Sequence, residues 1–135
     1  MQDRNGNPPT QHIGNTVLVV TMDVDPEDEA EFNKWYNEQH LPERMEIPGY
    51  ISARRFRLEE GEGALKYLCI WELEDGSPLQ SQMYREQQAD PTDLYLRVSG
   101  TIKARTRGLY RQIFPETGAF EDHSGFHPRH QEVSA

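Results

Sequence analysis

Hydrophobic and polar positions along this chain change period from two to about 3.6 and back, which predicts strands and helices in turn. Residues 16–22, TVLVVTM, are apolar and β-branched and predict a buried strand. Both of its parity sets, Val17/Val19 and Leu18/Val20, are apolar, so both faces of that strand need cover. Residues 25–28, DPED, form a helix start: Asp25 is placed to cap, Pro26 suits the first helical position, and Glu27 and Asp28 complement the N-terminal dipole. Phe32, Trp35, Tyr36 and His40 then recur at i, i+3, i+4 and i+8 and make one buried stripe. Glu31, Lys34 and Glu38 lie on the other sides. Pro42 disturbs a regular helix, although a short turn through 43–46 is compatible with it, and Pro48-Gly49 ends the segment.

Residues 50–58, YISARRFRL, alternate loosely as a second strand. One parity set is Ile51, Ala53, Arg55 and Arg57; the other is Tyr50, Ser52, Arg54, Phe56 and Leu58. A glycine-containing connection, EEGEG, suits a hairpin into 65–73, LKYLCIWEL. There Tyr67, Cys69, Trp71 and Leu73 share one set, and Leu68 and Ile70 the other. Residues 75–78, DGSP, predict a turn with Ser77 as cap, then a helix to about Ala89 with Leu79, Met83 and Gln87 inward. Asp90-Pro91-Thr92 breaks it. A further helical turn over 93–98 carries Leu94, Tyr95 and Val98, and 103–114 is a last strand alternating Leu109 and Ile113 against Tyr110 and Phe114.

The resulting order, β-α-β-β-α-β, predicts an α+β, ferredoxin-like fold: a four-stranded antiparallel sheet with both helices on one face. Strands apolar on both sides then predict a homodimer in which two sheets pack face to face, because soluble monomers avoid large exposed apolar patches. The domain is expected over 13–115, between a flexible arm at 1–12 and a C-terminal tail at 116–135, neither of which shows apolar periodicity.

Charge narrows the partners. With 14 Lys+Arg against 23 Asp+Glu the formal charge is −9, which argues against nucleic acid and anionic membranes. The single cysteine, Cys69, allows no intrachain disulfide and suggests a reducing compartment; it reads as a small buried apolar residue. With neither a signal-peptide pattern nor a membrane-length apolar run, a cytoplasmic protein is expected.

The stretches WYNEQHLPE, PGYISARRF and KYLCIWELED resemble the dimeric α+β barrel superfamily, particularly its EthD-like branch, over roughly residues 14–115. The pattern W-Y-x-x-x-H-x-P followed by P-G-Y is the characteristic part. The resemblance implies a pocket between the helices and the concave sheet face, lined by a histidine of the first helix region, which matches His40. EthD-type sequences often carry a second histidine beside the first; here Gln39 stands there, so a two-histidine site is not expected. The superfamily includes lactone isomerases, polyketide cyclases, decarboxylases, cofactor-free monooxygenases and haem enzymes, so its fold alone does not choose a reaction.

Candidate chemistry centres on His40 as general acid/base, with a pKa that the end of a helix would raise. Tyr36, one turn earlier, and Arg54, on the face of Tyr50 and Phe56, are the partners expected to steady a developing oxyanion. Trp35, Tyr67 and Trp71 are candidate walls for a substrate. His123, His127 and His130 form H-x3-H-x2-H in the tail without visible supporting residues and read as a surface cluster rather than a metal site. A haem pocket would need an axial histidine on a later element, and none lies between His40 and His123; no phosphate loop or C-x-x-C occurs, so no cofactor is expected. The combined reading is a small cofactor-independent enzyme of isomerase, cyclase or lyase/decarboxylase type. It would act on a carbonyl, lactone or phenolic intermediate of aromatic or polyketide metabolism. The alternatives are a non-catalytic ligand-binding or stress-response module and a cofactor-free monooxygenase.

Overall fold

A computed structural model describes residues 15–116. The arm at 1–12, with His12, and the tail histidines His123, His127 and His130 fall outside these residues. The strands are β1 (Thr16–Val24), β2 (Tyr50–Arg57), β3 (Tyr67–Leu73) and β4 (Ile102–Arg111). They form one antiparallel sheet in the order β2-β3-β1-β4. Between β1 and β2 run α1 (Glu29–Trp35), a π turn (Tyr36–His40) and α2 (Leu41–Met45); between β3 and β4 run α3 (Gln82–Ala89) and α4 (Asp93–Ser99). This is the expected ferredoxin-like arrangement. Among the described residues no helix is long and apolar enough to cross a membrane.

Burial along β1 alternates strictly, with Leu18, Val20, Met22 and Val24 buried and Val17, Val19, Thr21 and Asp23 only half-buried. The buried set packs with Phe32, Trp35 and Tyr36 from the first helical segment and with Cys69, Trp71 and Leu73 from β3. Among the described residues the other face is largely open, although Glu72 is buried on it. It carries Val17 and Val19 with their β3 partners Glu72 and Ile70, then Leu68, Phe56 and Tyr110. Phe56 is 48% and Tyr110 60% exposed there. The two-sided apolar reading of the strands is thus met by one core and one uncovered face.

Local signals landed unevenly. Pro26 opens a helical turn, but Asp25 makes no capping bond; its carboxylate takes Lys103 Nζ at 2.9 Å instead. Ser77 is held by Asp75, and the capping falls to Ser81, which accepts from Tyr84 N at 3.2 Å, and to Thr92, which accepts from Tyr95 N at 3.0 Å. Because Ser81 is extended and the helix restarts after it, the inward face rotates. Tyr84 and Gln87 turn in, while Met83 stays 38% exposed. Gly49, at φ 96°, takes the left-handed conformation that a side chain resists and turns the chain into β2.

A β-bulge in β2 has the largest effect. Tyr50 pairs with Leu73, but Ser52 rather than Ile51 pairs with Glu72. The extra residue inverts the parity of everything after it. Arg55, opposite Cys69, therefore joins Tyr50 on the helix face, while Arg54, opposite Ile70, is exposed on the open face.

Phe32 is fully buried at the centre of the aromatic stripe, with ring centroids of Tyr36 at 5.6 Å and Tyr67 at 5.4 Å. Phe32→Ala should therefore cost about 3–5 kcal/mol, read as a lowered urea midpoint at unchanged slope.

Candidate active site

Pro42 shapes the site. It has no amide hydrogen, and its ring crowds the carbonyl four residues back, so a regular α-helix cannot run through it unrelieved. The chain widens instead: Leu41 N–H bonds to Tyr36 O, an i→i−5 pattern, before α2 continues to Met45. His40 accordingly sits inside a continuing helical segment rather than at its end. The wider turn also brings together side chains five apart. The His40 ring stacks on Trp35 at 4.6 Å with 20° between planes and meets Tyr36 edge-on at 4.8 Å. Trp71 of β3 meets it edge-on at 5.6 Å and Tyr95 of α4 lies 6.1 Å away.

These rings wall a cavity of about 340 Å³ between the helices and the concave face of the sheet. Its floor is Leu18, Val20 and Met22 of β1 with Trp71. Arg44 of α2 and Tyr84 of α3 also line the cavity, as do Arg105 and Arg107 of β4, both of them exposed. His40 is half-buried: its Nδ1 is enclosed and has no hydrogen-bond partner among the described residues, while the ring lines the cavity. It is held by ring contacts.

That setting keeps the imidazole neutral. Burial, then the charges of Arg44, Arg105 and Arg55, lower the pKa of His40 to about 3. An imidazolium would also need an acceptor for a proton on Nδ1, and none is there among the described residues. The expectation of a raised pKa is corrected on both counts, since no helix end follows His40 and the local charge is positive. Burial likewise pushes the Tyr36 hydroxyl far above its usual range, and Tyr50 up to about 12. Tyr36 is therefore a neutral donor or acceptor and not a second base.

The sequence candidates divide. His40, Tyr36, Trp35 and Trp71 converge on the cavity. Arg54 does not, because the bulge sends it to the opposite face. Arg55 stands on the helix face instead, its guanidinium 4.4 Å from the centre of the Tyr36 ring and donating to Asn33 Oδ1 at 2.8 Å and Asn37 Oδ1 at 2.9 Å. It supports Tyr36 from behind and does not line the cavity. Tyr67 is also elsewhere: its hydroxyl accepts from Asn33 Nδ2 and donates to Glu29 Oε2, both at 3.1 Å. Cys69 is buried under Tyr36, and burial pushes its thiol up to about 11. Arg44, Tyr50, Tyr84, Tyr95, Arg105 and Arg107 were not singled out from the sequence. Arg105 and Arg107 share the parity of Leu109, so alternation along β4 was the available signal.

Among the described residues, Asp25, Glu27 and Asp28 are the group of three acidic, histidine or cysteine side chains close enough to share a cation. Asp25 is already engaged by Lys103, and His40 belongs to no such group.

A lowered histidine pKa links folding to pH. The unfolded chain binds a proton at His40 below about 6.5, whereas the folded chain resists it down to about 3. Protons therefore favour unfolding in that window, and stability should fall as pH drops from 7 toward 4. The His40 contribution to the slope is at most about 1.4 kcal/mol per pH unit. Urea midpoints across that range should decline less steeply in His40→Phe than in the parent; parallel curves would contradict the assignment.

No curated protein matches the chain. Solved structures do. SnoaB, a cofactor-independent oxygenase from Streptomyces nogalater, is similar at 19% identity and TM-score 0.52, over 76% of this chain and 98% of that one. A monooxygenase from the gene ActVA-Orf6 of Streptomyces coelicolor, in complex with nanaomycin D, is similar at 14% identity and TM-score 0.54, over 73% and 88%. A dimeric ferredoxin-like protein from an uncultured marine organism gives 14% identity and TM-score 0.54, over 75% and 91%. These likenesses establish the ferredoxin-like α+β fold. Residues 15–97 match the family model described as "Domain of unknown function (DUF4286)". That match covers well over half of the chain, from β1 through most of α4, and the chain therefore belongs to the DUF4286 family.

Proposed function

We propose that this protein is a cofactor-independent monooxygenase for a phenolic or polycyclic aromatic substrate, with His40 as general base. The observation that carries the reading is the aromatic-walled cavity lined by a neutral imidazole that, among the described residues, is held by ring contacts alone. Planar walls suit a planar substrate. A neutral imidazole can take a proton from a ring hydroxyl or from a carbon next to a carbonyl. The anion so formed stabilises the new imidazolium, and the nearby charge of Arg44 stabilises the anion, so proton transfer need not work against the low pKa of the empty site.

The substrate anion is the reductant. A ring methylene and one O2 become a ring carbonyl and one water: one oxygen atom stays in the product, the other leaves as water, and the substrate supplies all four electrons. Isomerisation, cyclisation or decarboxylation would draw on the same base. Oxygenation is preferred because SnoaB and the ActVA-Orf6 product, which share the fold, carry that activity in their names. A purely structural module would fill the space with side chains, whereas here it is open.

A second copy on the open sheet face completes the reading as a dimeric α+β barrel. The support is an uncovered surface of Val17, Val19, Leu68, Ile70 and Phe56, with buried Glu72 Oε2 lacking a partner among the described residues on the same face as Arg54.

Two outcomes follow. Anthrone should drive oxygen uptake of one O2 per molecule, with one atom of labelled O2 in the product. His40→Gln should slow that uptake by roughly 10²-fold or more while circular dichroism stays unchanged; near-parental uptake would remove His40 from the chemistry. Separately, Ile70→Glu should convert a dimer into a monomer by light scattering. A parental mass in that variant would exclude the open face as the interface.

A further inference from the structure

Among the described residues four cationic side chains line the cavity, Arg44, Lys103, Arg105 and Arg107, and no carboxylate does. In a chain with 23 acidic and 14 basic residues this is a pronounced local inversion of charge. Two of the four are already matched. Arg44 donates to Gln87 Oε1 at 2.7 Å and Glu43 Oε1 at 3.1 Å, and Lys103 pairs with Asp25. Arg105 and Arg107 have no hydrogen bond or ion pair among the described residues. Their direction is set by register: Arg105 pairs with Met22 and Arg107 with Val20, both floor residues, so the two guanidinium groups leave the same face of β4 side by side over the cavity. Two like charges at i and i+2 on one face repel each other unless an anion lies between them.

We infer that the cavity takes an aromatic acid, whose carboxylate is gripped by Arg105 and Arg107 at the mouth while its rings lie among Trp35, Trp71 and Tyr95 beside His40. This rests on the reading of the cavity as the substrate site and adds the charge of the substrate. An apolar ring system alone would be served by the aromatic walls and would leave the paired arginines idle. A carboxylate accepts from both in the fork geometry that arginine offers, and it neutralises the mouth. The same anion offsets the positive field around His40, so an acid bound at the mouth makes the imidazole a better base than it is in the empty cavity.

The test separates binding from turnover. The probes are a hydroxynaphthoate with hydroxyl and carboxylate at opposite ends of its two rings, and the matching hydroxynaphthamide. Each is titrated calorimetrically into the full chain at low and high salt. The acid should bind roughly 10-fold to 100-fold tighter than the amide. That preference should shrink with salt. It should fall to within about twofold in R105Q/R107Q and partly in each single variant, because the charge-assisted bonds are gone. Arg85→Gln, on an α3 residue outside the cavity, should leave it unchanged. Equal affinity for acid and amide in the parent chain overturns the inference, as does a preference that survives the double substitution in a folded protein. Acid-selective binding in a protein that takes up no oxygen with anthrone upholds it and overturns the oxygenase reading; binding of neither probe overturns the inference, and with no uptake from anthrone overturns both.

Discussion

A proline that cannot donate a hydrogen bond governs the centre of this molecule. Pro42 lies where the helix must continue, because α2 carries Arg44 and Ile47 follows it into the core. The chain meets the missing donor by opening one π turn from Tyr36 to His40. That widening does more than pass the obstacle. It swings His40 onto Trp35, five residues away, without losing the edge contact to Tyr36, so the imidazole is clamped between two rings of its own segment and faced by Trp71 from the sheet. The cavity exists where this clamp stands off from β1 and β4.

The sheet supplies the second constraint, and it is one of counting. Every strand shows one parity to the helices and the other to the open face, so a single extra residue reassigns a whole strand. The bulge at the start of β2 does this, sending Arg54 outward and Arg55 inward. Arg55 then becomes a brace, tied to two asparagines of the first helical segment and stacked on Tyr36, and not an anion ligand. The anion-facing charge comes from the other edge of the sheet, through Arg105 and Arg107.

Much of this was legible in the sequence, and the rest was hidden for identifiable reasons. The fold followed from periods and punctuation: a β-branched strand, a 3.6-residue aromatic stripe, two further strands across a glycine turn. His40, Trp35 and Tyr36 followed from the stripe and Trp71 from the parity of β3. A bulge leaves no mark in a loosely alternating segment such as YISARRFRL, so Arg54 and Arg55 could not be told apart. Tyr67 has the right parity, but it stands four residues along β3 from Trp71, under Phe32, and is spent on Asn33 and Glu29. The pKa of His40 depends on its burial and then on arginines from α2, β4 and β2, and no local pattern reports a charge that arrives from three separate elements.

The sheet is one strand thick, and β1 runs through its middle. Leu18, Val20 and Met22 are the floor of the cavity; Val17 and Val19, interleaved with them, are part of the uncovered face. With a second copy seated on that face, the floor of each cavity becomes the back of a shared interface, and the two cavities open away from each other. Dilution that separates the copies would then soften the floor beneath His40 and its aromatic walls, so protein concentration would control the site as firmly as any residue in it.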